Sequence, residues 1–290
     1  MNKKQLYVQY IRERFPILGA LLYGGGLFYS YYFYQAFIIG GHPHFLYSLP
    51  GSLVVFLSLF HLRLLDDIKD YESDKELYPD RMLSKGLIAR KDLKHLLLLI
   101  VLVEIVFSVL YGWRQVYLWL ALFLWSMLMA KEFFLASWLK SRKGFYLASH
   151  QMIIPLLGFY AANTAGQISS IPFSLFIFSI VILSLTLTYE LSRKSNLEDE
   201  ESYPAVWGVK RTVVGMSAIA GTGAMLLLCL FYLAGVHWYF YLMVTGALSL
   251  FLFTELSFLI NPSGRKAKVV KIGGALYMLT LFSLIIIAYT

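Results

Sequence analysis

Charged residues are scarce in this chain of 290 residues, where only 14% are Asp, Glu, Lys or Arg. A soluble globular domain carries about 25% charged residues. Hydrophobic residues make up 59% of the chain, and the mean hydropathy is +0.65. So few charges leave too little polar surface for a soluble globule. We therefore expect an all-α, polytopic membrane protein in which residues 1–290 form one integral membrane domain.

Cysteine is nearly absent, since Cys229 is the single cysteine and lies in an apolar run. This excludes an internal disulfide and a cysteine-based metal site. The net charge of +8 is compatible with nucleic-acid binding, but the basic residues form short clusters between apolar segments. That arrangement is typical of membrane-protein loops, so we expect the lipid bilayer, and no nucleic acid, as a partner.

Nine apolar segments are each about as long as a helix that crosses a bilayer. They cover residues 15–39, 46–66, 94–112, 116–136, 145–163, 172–190, 212–235, 238–259 and 270–289. Of the 25 basic residues, 24 lie in the N-terminal tail and the even-numbered connections, and only Arg114 lies on the other side. The positive-inside rule then predicts a cytoplasmic N-terminus, cytoplasmic even-numbered connections and a C-terminus outside.

Acidic residues concentrate directly after the second apolar segment, in the stretch "DDIKDYESDKELYPD" over 66–80. If the helix continues here, Asp67, Asp70 and Asp74 lie within a narrow arc, with Arg63 one turn earlier and Asp66 at the flank. Carboxylates on one face repel one another unless a cation neutralises them. Oxygen ligands suit Mg²⁺, which completes its shell with water and substrate phosphates. The run predicts a magnesium site for a phosphorylated substrate on the cytoplasmic side.

An alternative interpretation is a solvated loop without a metal. In that case the acidic side chains pair with Lys69, Lys75 and Arg81, and each pair contributes little to stability.

The same stretch carries a family resemblance. "DDIKDYESD" resembles the first aspartate-rich motif of the UbiA-type intramembrane prenyltransferases, N-D-x-x-D-x-x-x-D, with Asp66 at the asparagine and Asp67, Asp70 and Asp74 at the aspartates. The downstream "YPDRMLSKGLI" is similar to the family's P-x-R-P-L-x-x-G-x-I stretch, in which Met82 replaces a proline.

The resemblance implies a UbiA-like helical barrel of nine transmembrane helices with a lateral opening to lipid. It implies that Mg²⁺ holds a prenyl diphosphate at the cytoplasmic end, and that a lipophilic or aromatic acceptor captures the allylic carbocation. On this resemblance Asp67, Asp70 and Asp74 are candidate catalytic and metal-binding residues, Asp66 is a further metal ligand, and Arg81 is a diphosphate ligand.

The family's second aspartate-rich motif, D-x-x-D-x-x-x-D, is altered in this chain, where the corresponding place reads "TYELSRKSNLEDEESYPAVWG". Glu190 stands at the first aspartate and is the candidate metal ligand there, whereas Arg193 and Leu197 stand at the second and third. We expect Arg193 and Lys194 to contact the diphosphate, because an arginine fork matches phosphate oxygens. The alternative is a salt-bridge set between Glu190 and these two cations at a helix end.

The fourth connection, "AKEFFLASWLKSRKGFYLASHQMIIP", resembles the family's Y-x-x-x-K-R loop only loosely. Lys140 and Arg142 are candidate diphosphate ligands, with ordinary positive-inside anchors as the alternative. His150 and Gln151 follow in the fifth segment. We consider them candidate acceptor-binding groups, with hydrogen-bonded packing residues as the alternative.

Four function classes follow from these observations. The leading interpretation is a prenyltransferase, and a terpene cyclase on the same scaffold is its neighbour. A cation permease is a different class, which predicts inverted repeats and polar groups near the bilayer midplane. A binding protein that has lost catalysis is the fourth class, suggested by the altered second motif.

Overall fold

The computed structural model describes residues 3–166 and 171–290, and this part of the chain is helical with no β-strand. By their internal contacts the residues form two compact units. The first comprises the chain up to Tyr32 and from Gly41 through the helix that ends at Ala165. The second comprises Phe33–Gly40 and the chain from Phe173 onward. Half of the predicted connection between the fifth and sixth segments, residues 164–171, lies outside the described residues.

The helices of the first unit are α1 (Lys3–Arg14), α2 (Ile17–Ile38, whose last turns belong to the second unit), α3 (Phe45–Lys69), α4 (Tyr71–Leu77), α5 (Arg90–Val109), α6 (Trp113–Ala130), α7 (Ala136–Lys140), α8 (Lys143–Gln151) and α9 (Ile153–Ala165). A short 3₁₀ turn, Glu132–Phe134, lies between α6 and α7. Helix α3 packs against α5, α6 and α9.

The helices of the second unit are α10 (Phe173–Arg193), α11 (Tyr203–Trp207), α12 (Val209–Leu233), α13 (Trp238–Ile260) and α14 (Gly264–Tyr289). Helix α10 packs against α12 and α14, and α13 packs against the same two helices. The buried Glu255 of α13 accepts a hydrogen bond from Ser217 Oγ at 2.6 Å, which satisfies one of its oxygens inside the bundle.

Among the described residues, five helices are long and apolar enough to cross a membrane, namely α3, α10, α12, α13 and α14. They correspond to five of the nine predicted segments. The segments 15–39, 94–112 and 116–136 are represented by the helices α2, α5 and α6. The count of nine spans therefore stays a prediction.

The segment predicted over 145–163 is not one continuous helix. Helix α8 ends at Gln151 and α9 begins at Ile153. Pro155 explains the interruption, because a proline donates no N–H and its ring clashes with the carbonyl of the residue four positions earlier, here Gln151.

A buried polar network joins three helices of the first unit. Glu104 of α5 accepts hydrogen bonds from Ser58 Oγ of α3 at 3.2 Å and from Trp119 Nε1 of α6 at 3.0 Å. His61 Nδ1 lies 3.3 Å from Glu104, and its Nε2 lies 3.2 Å from Ser126 Oγ. All these side chains are buried, so the network satisfies polar groups that would otherwise destabilise the bundle. It holds the α3 helix that carries the acidic run.

The loop after α4 is fixed by a glycine and by the N-terminal helix. Gly86 has φ +68°, a conformation that side chains disfavour, and its N–H donates to the Leu83 carbonyl at 3.1 Å. Met82 and Leu83 are buried in a core with Tyr10 and Phe15. The motif loop is thereby packed against the end of α1.

Candidate active site

The acidic run lies at the joint between α3 and α4. Helix α3 ends at Lys69, and Asp70 leaves helical geometry at φ −88° and ψ 13° before α4 begins at Tyr71. The backbone turns continue across the joint, since the Asp70 N–H donates to the Asp66 carbonyl and the Asp74 N–H to the Asp70 carbonyl, both at 2.8 Å. The aspartates nevertheless divide into two groups with different partners.

Asp67 is buried, with a side chain only 1% exposed. Arg14 of α1 donates from Nη2 to Asp67 Oδ1 at 2.5 Å and from Nε to Oδ2 at 3.0 Å. The Tyr10 hydroxyl donates to Oδ2 at 2.6 Å, and Arg63 Nη2 lies 3.2 Å from Oδ1. Burial and the neighbouring Asp67 raise the pKa of Tyr10, which remains a donor. Both oxygens of Asp67 are therefore occupied by protein donors.

Asp74 is also committed to arginines. Arg81 Nη1 donates to Asp74 Oδ2, and Arg14 Nη2 lies 3.5 Å from the same oxygen. The Arg81 guanidinium also lies over the Tyr78 ring, 3.5 Å from its centroid. Arg81, a predicted diphosphate ligand, is thus held by a carboxylate and an aromatic ring with part of its side chain exposed.

Asp66 and Asp70 differ from these two residues, because their side chains are 56% and 45% exposed. Lys69 Nζ lies 3.9 Å from Asp66 Oδ1 and 3.7 Å from Asp70 Oδ1. Partial burial raises the pKa of Asp70, while the charges of Lys69 and Lys140 act in the opposite direction. The structure therefore groups Asp70 with Asp66, not with Asp67 and Asp74 as the continuous-helix prediction has it.

The fourth connection brings further predicted residues into the first unit. Lys140 and Arg142 are exposed, and the Arg142 guanidinium lies 4.7 Å from the centroid of the Trp138 ring. Because both side chains are exposed, they are accessible to an anionic ligand.

His150 and Gln151 lie in the last turn of α8. The His150 ring stacks on Tyr146 at 3.9 Å, and its Nδ1 lies 2.9 Å from the Tyr146 carbonyl oxygen. Gln151 Oε1 is buried and has no hydrogen-bond partner among the described residues. A buried acceptor without a partner is unfavourable, which is the property expected of a group that binds something else.

In the second unit Glu190, Arg193 and Lys194 lie together at the end of α10. Arg193 donates from Nε to Glu190 Oε2 at 2.9 Å and from Nη2 to Oε1 at 2.8 Å, and Lys194 Nζ lies 3.3 Å from Oε1. This is the salt-bridge arrangement that the sequence left open as an alternative. Glu190 is only 16% exposed, whereas the two cations are each about two-fifths exposed.

The family model of the UbiA prenyltransferase family matches residues 36–284. The chain belongs to the UbiA prenyltransferase family. This confirms the relationship that the acidic motif and the P-x-R stretch suggest. No curated protein matches the sequence.

Solved structures of UbiA proteins share the fold at low sequence identity. A structure concerned with digeranylgeranylglyceryl phosphate synthase is 17% identical with a TM-score of 0.70, covering 98% of this chain and 99% of that one. An apo UbiA homologue from Aeropyrum pernix K1 is 12% identical with a TM-score of 0.64, covering 91% and 96%. A UbiA homologue from Archaeoglobus fulgidus, bound to DMAPP and Mg²⁺, is 12% identical with a TM-score of 0.55, covering 95% and 98%.

A magnesium ion bound by this UbiA-family chain needs oxygen ligands from its acidic side chains. Within residues 3–166 and 171–290, no three acidic, histidine or cysteine side chains lie close enough together to hold a metal alone. Mg²⁺ usually takes only one or two carboxylates and fills its remaining positions with water and phosphate oxygens. Asp66 and Asp70, four residues apart, have side chains that are 56% and 45% exposed, whereas the carboxylates of Asp67 and Asp74 face arginines in this structure.

Three further residues belong to this region although no sequence motif marks them, namely Tyr10, Arg14 and Glu132. In the sequence Arg14 is one of the basic residues of the N-terminal tail, but its spacing of four from Tyr10 places both on one face of α1. Glu132 carries no motif, and its carboxylate reaches Lys69 Nζ at 3.4 Å only because the chain folds back after α6.

Proposed function

We propose that this chain is a Mg²⁺-dependent intramembrane prenyltransferase, which transfers an isoprenyl group from a prenyl diphosphate to a lipophilic or aromatic acceptor. The observation that carries the proposal is the open pair Asp66 and Asp70 at the end of α3, within the aspartate motif of the family. The magnesium and DMAPP bound to the Archaeoglobus fulgidus homologue support the choice of metal and substrate class.

The roles of the four motif aspartates follow from their partners. Asp66 and Asp70 would hold the metal, since their side chains are 56% and 45% exposed. Asp67 and Asp74 would hold Arg14, Arg63 and Arg81 and so keep the end of α3 in place. A bound Mg²⁺ supplies charge neutralisation for the leaving diphosphate.

Basic side chains would bind the remaining phosphate oxygens. The candidates are Arg81, Lys140, Arg142, Arg193 and Lys194. In the reaction the bond between the prenyl C1 and the diphosphate oxygen breaks, and its electron pair leaves with the diphosphate. The acceptor then bonds to C1 and loses a proton. Fixed cations favour this because the diphosphate gains charge as the bond breaks.

The acceptor is proposed to contact His150 and Gln151. The unpartnered Gln151 Oε1 offers a hydrogen bond to an acceptor hydroxyl or amine. A polar group at this depth in a membrane protein otherwise faces the bundle interior.

The proposal includes the membrane arrangement predicted from the sequence. Nine spans, with the N-terminus and the acidic face in the cytoplasm and the C-terminus outside, account for the distribution of the basic residues. We propose one functional domain over 1–290, because the family match of 36–284 includes residues of both compact units.

Incubation of the purified protein with Mg²⁺ and prenyl diphosphates of several chain lengths tests the proposal by measuring diphosphate release. We expect release that depends on Mg²⁺, increases with an aromatic or lipophilic acceptor and disappears in Asp70→Asn. Equal release without any acceptor identifies a cyclase instead. Binding of prenyl diphosphate without release from any tested chain length contradicts the proposal and favours a binding protein.

A further inference from the structure

Lys69 places a positive charge at the centre of the proposed metal site. It is the last residue of α3, and its ammonium lies near three carboxylates: Glu132 at 3.4 Å, Asp70 at 3.7 Å and Asp66 at 3.9 Å. Two of these carboxylates are the proposed magnesium ligands. The third comes from a different part of the chain.

Glu132 lies in the 3₁₀ turn after α6, where the backbone is strained. Glu132, Phe133 and Phe134 have φ values of 47°, 53° and 59°, a left-handed conformation that is unfavourable for any residue with a side chain. Such strain persists only where surrounding contacts hold the chain. The contact of Glu132 with Lys69 is one of them.

The Glu132 carboxylate is buried, with only 9% of the residue exposed. Its Oε1 faces Lys69, whereas its Oε2 is buried and has no hydrogen-bond partner within the described residues. A buried carboxylate is unfavourable unless a cation compensates it. Glu132 therefore has unused capacity to accept a closer contact from the Lys69 ammonium.

We propose that Lys69 is a built-in counter-ion that competes with Mg²⁺ for Asp66 and Asp70, and that Glu132 is the positioning residue that receives Lys69 when the metal binds. The inference rests on the proposed function, because it takes Asp66 and Asp70 as the metal ligands. Without metal, Lys69 reduces the repulsion between the two aspartates. With metal, like charges repel and the ammonium withdraws to Glu132, the nearest of its three carboxylates.

Metal binding in the absence of prenyl diphosphate tests the inference by a readout other than activity. Mg²⁺ affinity is measured by calorimetry on the full chain in detergent. Lys69→Gln should tighten binding about tenfold, the scale on which a charge within about 4–6 Å alters a carboxylate's affinity for a proton. Glu132→Gln should weaken binding, because Lys69 then remains with Asp66 and Asp70.

Matched controls separate this effect from a change in overall charge. Lys75→Gln and Glu72→Gln make the same charge changes at exposed positions of α4 and should leave the affinity near that of the wild type. Lys69→Arg keeps the charge and should not tighten binding. Thermal midpoints of all variants show whether each remains folded.

The double variant Lys69→Gln/Glu132→Gln excludes a direct role for Glu132. It should bind Mg²⁺ at least as tightly as the wild type, because no lysine remains to be displaced. Weaker binding than the wild type identifies Glu132 as a metal ligand and overturns its positioning role. Unchanged affinity in Lys69→Gln, together with lost binding in Asp70→Asn, overturns the inference alone. Retained binding in Asp70→Asn contradicts the metal site of the proposed function, and with it the premise of the inference.

Discussion

Asp66 and Asp67 are adjacent, but Asp66 is 56% exposed and Asp67 is 1% exposed. Asp67 accepts hydrogen bonds from Tyr10 and Arg14, whereas Asp66 has the more distant Lys69 as its basic neighbour. A carboxylate whose oxygens are filled by buried donors stabilises the fold, and an exposed one is available to a metal.

The aspartates should consequently respond differently to replacement by asparagine. Asp66→Asn and Asp70→Asn should lower kcat/KM by about a hundredfold or more, since losing a metal ligand removes several kcal/mol of charge stabilisation. Their thermal midpoints should change little. Asp67→Asn should destabilise the protein by about 3 kcal/mol, because Arg14 loses its buried partner. Thermal unfolding measures the effect on stability, and Mg²⁺-dependent turnover measures the effect on activity. A stable but inactive Asp67→Asn variant would show that Asp67 serves the reaction and not the stability of the fold.

The altered second motif gives a further prediction at single residues. If Arg193 and Lys194 bind the diphosphate, alanine at either position should raise the KM for prenyl diphosphate and lower kcat, by about tenfold in kcat/KM, the worth of one charge-assisted hydrogen bond. Arg193→Lys should already weaken binding, because an ammonium does not copy the guanidinium fork.

Steady-state kinetics of these variants and of Glu190→Gln distinguish diphosphate binding from the salt bridge seen in α10. A salt bridge alone predicts a loss of stability of about 0.5 kcal/mol in all these variants, with unchanged kinetics. A magnesium requirement that rises in Glu190→Gln would identify Glu190 as a metal ligand. Wild-type kinetics throughout, with an inactive Asp70→Asn, would limit the chemistry to the first motif.

At the scale of elements, α1 acts as a brace for the motif. Its last turns supply Tyr10 and Arg14 to Asp67, and its Glu13 Oε1 accepts a hydrogen bond from the Met82 N–H of the motif loop at 3.3 Å. Tyr10 and Phe15 also belong to the core that includes Met82 and Leu83. The N-terminal helix thus fixes both the end of α3 and the loop after α4.

Arg14→Gln should therefore destabilise the first unit and release α1. We expect a loss of about 3 kcal/mol, because removing one partner of a buried ion pair leaves the other uncompensated. Arg12→Gln is the matched control, since Arg12 is exposed on the same helix and exposed charges contribute about 0–1 kcal/mol. Thermal unfolding measures the difference in stability between the two variants, and limited proteolysis within α1 measures the release of this helix. Equal stability of the two variants would show that α1 does not brace the motif.

For the whole molecule, the distribution of basic residues predicts which connections lie on the cytoplasmic side of the membrane. The helices alone do not determine this orientation. In a variant with Cys229 replaced by Ser, His42→Cys should react with a membrane-impermeant thiol reagent on intact cells. Lys85→Cys and Arg142→Cys should not react, because the positive-inside rule places these connections in the cytoplasm. All three positions are exposed, so accessibility within the protein does not bias the comparison. Labelling of Lys85→Cys from outside would place the acidic face on the wrong side of the membrane.

Much of the fold was predictable because it depends on local pattern. Long apolar segments predict helices wherever they occur, since a bilayer leaves backbone groups no other way to be satisfied. The break between α8 and α9 was not predicted, because packed transmembrane helices tolerate a proline such as Pro155. The family membership was predictable from the spacing of Asp66, Asp67, Asp70 and Asp74. By contrast, the assumption of one continuous helical face placed Asp70 with Asp67, and the joint between α3 and α4 separates them by partner.

The sequence by itself determined the class of protein, the family and the acidic run that marks the site, because hydropathy, charge distribution and motif spacing are properties of neighbouring residues. Only the tertiary structure decided which carboxylates remain open. Arg14 is 53 residues from Asp67 and Glu132 is 63 residues from Lys69, and no local pattern reports such pairings. Burial and the approach of an opposite charge depend on how distant segments pack, and these two quantities determine whether an aspartate anchors the fold or is available to a metal.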